Sequence, residues 1–129
     1  MSAVLEHAEP QTTTVDVILR NLLGYDEIIG AVAVNSEGLV MGSAGMIETD
    51  IDVVSLLGAS LAGVAERTAQ RLGTGRALGL SLYTADGMMT VRNGGDIAVM
   101  AFSAVCDGDA LLEALQESLD QIREIVGRD

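Results

Sequence analysis

The stretch 77–104, ALGLSLYTADGMMTVRNGGDIAVMAFSA, decides the fold. It holds three strand-like runs, Ala77–Thr84, Met88–Arg92 and Ile97–Ala104, joined by very short connections. Ala85-Asp86-Gly87 and Asn93-Gly94-Gly95 supply hairpin turn chemistry, because glycine and asparagine tolerate positive φ. Strands joined this tightly make an antiparallel sheet.

Upstream lies a second hairpin, with Ile28–Val34 as one strand, Asn35-Ser36-Glu37-Gly38 as the turn and Leu39–Ser43 returning. Between the hairpins, Asp50 caps a long helix that ends near Leu72, and Gly73-Thr74-Gly75 closes it. A first helix opens at Thr12, Thr13 or Thr14, carries Val15, Ile18, Leu19, Leu22 and Leu23 at helical spacing, and stops at Gly24. A last helix follows Asp107 or Asp109, with Leu111, Leu112, Leu115, Leu119, Ile122 and Val126 on one stripe. The order predicts an α/β (α+β) domain in which three amphipathic helices cover the antiparallel sheet. Residues 12–126 form that domain; 1–11, with the only proline at Pro10, and 127–129 read as tails.

Composition closes most routes to catalysis. Of 129 residues, 19 are acidic and 7 basic, for a net charge of −12, and every basic residue is an arginine. Without lysine there is no Walker-type phosphate lysine, Schiff base or Ser–Lys dyad. One histidine, His7, and one cysteine, Cys106, cannot build a zinc site, a His-based triad or an intrachain disulfide. Cys106 reads as a small buried hydrophobe. So acidic a chain, without a basic cluster, is a poor match to nucleic acid. Met1 to Gln11 is not a secretory leader, and the apolar stretch Ile51–Ala65 is too short and too polar to span a membrane. The expectation is a cytoplasmic, non-enzymatic protein with no cofactor, no metal and no membrane insertion.

The long helix departs from ordinary amphipathic patterning. Val53, Val54, Leu57, Leu61, Val64 and Leu72 share a broad face expected to sit on the sheet, beside a stripe of Gly58, Ala62, Ala65 and Ala69. Around the back, Ser55, Leu56, Ala59, Ser60 and Gly63 stand where charges are usual, and only Glu66, Arg67, Gln70 and Arg71 turn polar. A helix apolar around most of its girth needs burial on two sides, and a second copy of the chain supplies the second. Small residues let two backbones approach closely, and strand edges need a partner or a cover.

Other candidates reduce to structural roles. The glycines of Gly73-Thr74-Gly75 and Gly79 follow a helix and precede a strand, the reverse of a dinucleotide fingerprint. Asp50 and Asp52, like Asp107 and Asp109, suit helix N-termini, and the latter pair falls short of a calcium loop. Arg67 and Arg71 lie one turn apart and complement the dipole at the end of their helix. Beside Leu56, Ala59 and Gly63, they also compose a docking surface for an acidic or phosphate-bearing partner.

The whole pattern resembles a Roadblock/LC7 domain, in particular the bacterial regulators of Ras-like GTPases. The similarity covers residues 12–126 and rests on element order, the hairpin Ala31–Val40, the acidic start of a long helix rich in small residues, and the closing helix. It implies a five-stranded antiparallel sheet with the long helix on one face and the terminal helices on the other. It also implies a homodimer joined along the third strand and the long helix, involving Gly58, Ala62, Ala65, Ala69, Leu78, Leu80 and Leu82. Members bind Ras-like small GTPases, and some stimulate hydrolysis by stabilising the GTPase's own catalytic arrangement. On this resemblance Leu56, Ala59, Gly63, Arg67, Gln70 and Arg71 contact the GTPase partner. Two alternatives stay open: a scaffold or adaptor without effect on GTP turnover, and a small-molecule sensor.

Overall fold

A computed structural model of the chain describes residues 14–25, 27–45 and 50–126. The tails read at 1–11 and 127–129, and the caps at Thr12 and Thr13, lie outside the described residues. The elements run α1 (Thr14–Leu22), β1 (Ile28–Asn35), β2 (Val40–Ala44), α2 (Ile51–Leu72), β3 (Gly79–Tyr83), β4 (Met88–Asn93), β5 (Ile97–Ser103) and α3 (Gly108–Val126). The five strands form one antiparallel sheet in the order β2-β1-β5-β4-β3. The predicted elements all appear.

Local chemistry sets their ends. Asp50 accepts from the Val53 amide at 3.4 Å, and Gly73 closes α2 in the left-handed conformation. At the start of α3 the Asp107 carboxylate accepts from the Asp109 and Ala110 amides. Asn35 Oδ1 takes both the Glu37 and the Leu39 amides, which shapes the first hairpin turn around Gly38 at φ +85°.

Strand alternation divides the core in two. On one face Ala31, Ala33, Val99 and Ala101 meet α1 and α3 through Ile18, Leu19, Leu22, Leu111, Leu115, Leu119 and Ile122. On the other, Val32, Val34, Val91, Ala98 and Met100 meet α2. These are the layers that the resemblance implies. Cys106 is a free thiol, half-buried against the first cluster.

The orientation of α2 overturns one expectation. The buried residues of α2 are Ser55, Gly58 and Ala62, whereas Val53, Leu57, Val64 and Leu72 stand 49–69% exposed. Ser55, expected at the back, is fully buried. The cause is bulk on the sheet. Met100 rises beneath the helix and fills the space a side chain at Gly58 would need, so the small-residue stripe faces inward and the large side chains face outward. Gly58 and Ala62, expected at a dimer interface, are therefore taken up by the chain's own sheet. Ala65 and Ala69 are half-buried.

Candidate functional site

Turning α2 inward on its small residues leaves two unlike flanks. One flank faces the sheet's uncovered end and is apolar. Val54, Leu57 and Leu61, with Ile29, Leu82, Met89 and Phe102, line an open groove of about 480 Å³. Leu82 is 47% exposed there and Leu57 59%. Among the described residues nothing covers this surface.

The groove runs to the edge strand β3. Leu78, Leu80 and Leu82 alternate with Gly79, Ser81 and Tyr83, and Leu80 packs into the cluster under α2. Gly79 and Ser81 point to the opposite face, where a β-carbon on Gly79 would meet Leu112 and Ser81 Oγ lies 3.1 Å from Thr90 Oγ1. The structure thus places Leu78, Leu80 and Leu82 on the same side of the sheet as α2.

The two outer edges differ. At β2 the Asp16 carboxylate of α1 accepts from the Ser43 amide at 2.8 Å, which covers part of that edge. At β3 the Leu78 carbonyl accepts from Asn93 and the Thr84 amide donates to Gly87, both toward β4. Alternation then turns the amides and carbonyls of Gly79, Ser81 and Tyr83 outward. Leu78 to Thr84 carries no charged residue that would repel an incoming strand.

The second flank of α2 is polar and shallow. Leu56, Ala59, Ser60, Gly63, Val64 and Arg67 form one wall of a cleft of about 300 Å³, and Ser36 and Glu37 at the β1–β2 turn form the other. Four of the six predicted partner-binding residues, Leu56, Ala59, Gly63 and Arg67, are brought together there. Gln70 and Arg71 lie further along the helix, exposed, outside the cleft. Leu56 is 55% exposed although it packs beside Gly38.

Next to this cleft, Glu66, Arg76, Asn93 and Asn35 border a smaller depression of about 260 Å³. Glu66 accepts from the Ala77 amide at 3.0 Å, and its other oxygen lies 3.9 Å from Arg76. Asn93 donates to the Ala62 carbonyl at 3.4 Å and accepts from the Gly95 amide at 3.0 Å, tying α2 to the β4–β5 turn. Sequence reasoning missed this border and the Ser36–Glu37 wall; Asn35 and Asn93 were read only as turn formers. Among the described residues, no group of three or more histidine, cysteine, aspartate or glutamate residues is placed to hold a metal. No helix among them is long and apolar enough to cross a membrane.

A family model described as Roadblock/LC7 domain matches residues 14–104, from α1 through the end of the sheet. The chain belongs to the Roadblock/LC7 domain family. No curated protein matches it. Among solved structures, this Roadblock/LC7 domain is similar to one from Streptomyces avermitilis, with TM-score 0.78 and 16% identity over 86% of this chain and 96% of that one. It is similar to Myxococcus xanthus MglB, with TM-score 0.79 and 14% identity over 91% and 98% of the two chains. The gliding protein MglB of Thermus thermophilus aligns with TM-score 0.65 and 16% identity, covering 83% of this chain and 89% of that one. At these identities the likeness is one of fold.

Proposed function

We propose that this Roadblock/LC7 domain is a homodimeric, non-enzymatic regulator that binds a Ras-like small GTPase and modulates its nucleotide cycle. Family membership and the MglB-like fold support the partner class. The observation that carries the placement is the cleft along the second flank of α2. Leu56, Ala59, Gly63 and Arg67 converge there with the β1–β2 turn, and glycine and alanine keep the wall low enough for a partner's loop to approach. Arg67 is the cation of the cleft in a strongly acidic chain, and it suits an acidic partner segment.

The homodimer reading rests on the opposite flank. The open β3 edge and the apolar groove beside it lie on one side of the molecule, Leu78 and Leu82 included, so one partner covers both. In that reading Ala65, Ala69, Leu78, Leu80 and Leu82 belong to the interface or its margin. Gly58 and Ala62 do not.

Affinity capture from a lysate of the source cells, in excess GDP or a non-hydrolysable GTP analogue, tests the function. Enrichment of a Ras-like GTPase in one nucleotide state supports a regulator, and turnover assays with the purified pair measure its effect. Capture of a partner regardless of nucleotide moves the reading to a scaffold. Full partner affinity in both Leu56→Arg and Arg67→Glu, each a folded dimer, overturns the placement.

A further inference from the structure

The helix layer on the sheet face opposite α2 holds a slot of its own. Where α1 ends against the middle of α3, Ile18, Leu22 and Ala114 floor a hollow of about 230 Å³. Its walls are polar, built from Asn21, Tyr25, Glu117, Ser118 and Gln121. None of these five side chains has a hydrogen-bond or ion-pair partner among the described residues. Ser118 lines the slot although it is only 5% exposed. A buried hydroxyl is ordinarily bonded within the protein, so an unbonded one in a cavity wall marks a place for an outside polar group.

The charge of the slot has one sign. Glu117 stands in its wall, and the C-terminal end of α1, where a helix dipole is negative, runs into it. A second hollow of about 170 Å³ shares Tyr25 and adds Glu27 and Asp107, the latter also the cap of α3. The exposed Tyr25 ring therefore belongs to two acid-lined hollows at once. No arginine lines either one, and Arg123 of α3 is taken up by Asp96 and the Gly94 carbonyl.

We infer that these hollows receive arginine side chains from an exposed basic segment of a protein partner. A guanidinium carries five N–H donors in a planar fork and no acceptor. The Glu117 carboxylate, the Asn21 and Gln121 amide oxygens and the Ser118 hydroxyl supply acceptors around the slot. The Tyr25 ring offers a face for cation–π attraction, and the apolar floor suits the methylene stem. Lysine, a compact and strongly hydrated ammonium, uses fewer of these features. A chain of net charge −12 draws such a segment in from a distance. The slot lies across the sheet from α2, so it is independent of the GTPase reading and leaves both flanks of α2 open.

Amide chemical shifts of the full chain, titrated with a blocked Gly-Arg-Gly-Arg-Gly peptide, test the site. The expected shifts cluster at Asn21, Tyr25, Glu117 and Gln121. Citrulline in place of arginine keeps the shape without the charge and should abolish them, and the lysine peptide should bind more weakly. Glu117→Gln and Tyr25→Leu, each checked for folding, should weaken binding by roughly 3- to 5-fold. Glu113→Gln, on the same helix outside the slot, should leave it nearly unchanged. Shifts scattered over the acidic surface, equal binding of spermidine, or full affinity in Glu117→Gln overturns the proposal in favour of diffuse charge attraction. Shifts of the same amides on concentrating the protein alone assign the slot to a second copy and overturn it as well. None of these results bears on the GTPase reading, whose test variants lie on α2.

Discussion

The side chain of Met100 occupies the space that a β-carbon on Gly58 would fill. This contact at the centre of the sheet decides which face of α2 is buried. A glycine inside a helix ordinarily costs about 1 kcal/mol relative to alanine. Here the usual gain is opposed, because a β-carbon at Gly58 forces the fully buried Met100 side chain to repack. Gly58→Ala is expected to destabilise by about 1 kcal/mol and Gly58→Val by about 3 kcal/mol. Urea unfolding midpoints read both, and Gly58→Ala combined with Met100→Val should recover much of the loss, since the two sites are coupled.

Ser55 gives the opposite sign. Its hydroxyl is fully buried in α2 and has no hydrogen-bond partner among the described residues. Removing an unsatisfied buried oxygen relieves a desolvation penalty, and alanine is the better helix former. Ser55→Ala should stabilise by about 1 kcal/mol, visible as a higher thermal midpoint. A loss of similar size would show that the hydroxyl is satisfied in solution.

Gly38 links stability to the partner cleft. It is buried at φ +85°, and a β-carbon there would press on Leu56. Gly38→Ala should cost about 1–2 kcal/mol through backbone strain alone. It should also displace Leu56 and, on the proposed function, weaken binding of a small GTPase in protein that is still folded. Calorimetry for the first effect and titration of the partner for the second separate the two.

Asp16 guards the β2 edge through its bond to the Ser43 amide. Asp16→Ala leaves that amide without its carboxylate and is expected to cost about 1–2 kcal/mol. Light scattering should also show concentration-dependent association absent from the parent protein, because the covered edge becomes available. Unchanged scattering would mean that packing of α1 alone is enough to close it.

Asp96 contributes a small pH dependence. The Arg123 guanidinium donates to its carboxylate at 3.1 Å and holds its pKa below the ordinary aspartate value. The folded-state pKa is the lower one, so the stabilisation is fully present above the unfolded-state range, near pH 4, and fades as pH falls through the folded value. The carboxylate is exposed, which keeps the effect small and salt-sensitive. Asp96→Asn should be slightly less stable than the parent at neutral pH. The two should converge as pH falls through the folded-state pKa, and in high salt.

Most of the fold was legible because its signals are local. Asp50, Gly73, Asp107 and the Asn35 turn act within a few residues of themselves, and each does what its chemistry requires. The facing of α2 was not legible in the same way. Helical spacing says that Val53, Leu57, Leu61 and Val64 share a side, and that Gly58 and Ala62 share another. It does not say which side meets the sheet. That depends on Met100, more than forty positions from Gly58 in sequence. The candidate site divides likewise: Leu56, Ala59, Gly63 and Arg67 were readable from one helix, while the opposing wall at Ser36 and Glu37 comes from a long-range approach.

The Gly58–Met100 seat also bears on the thermodynamics of recognition. Met100 lies on the central strand β5, paired on one side with Val32 and on the other with Val91, so α2 is keyed to the middle of the sheet. A helix seated this way travels with the sheet as one body. A partner docking on its outer flank meets a surface already set, and little chain entropy is lost on contact. Such an encounter should be governed by the rate of collision and by charge, with the wait for a rearrangement playing no part.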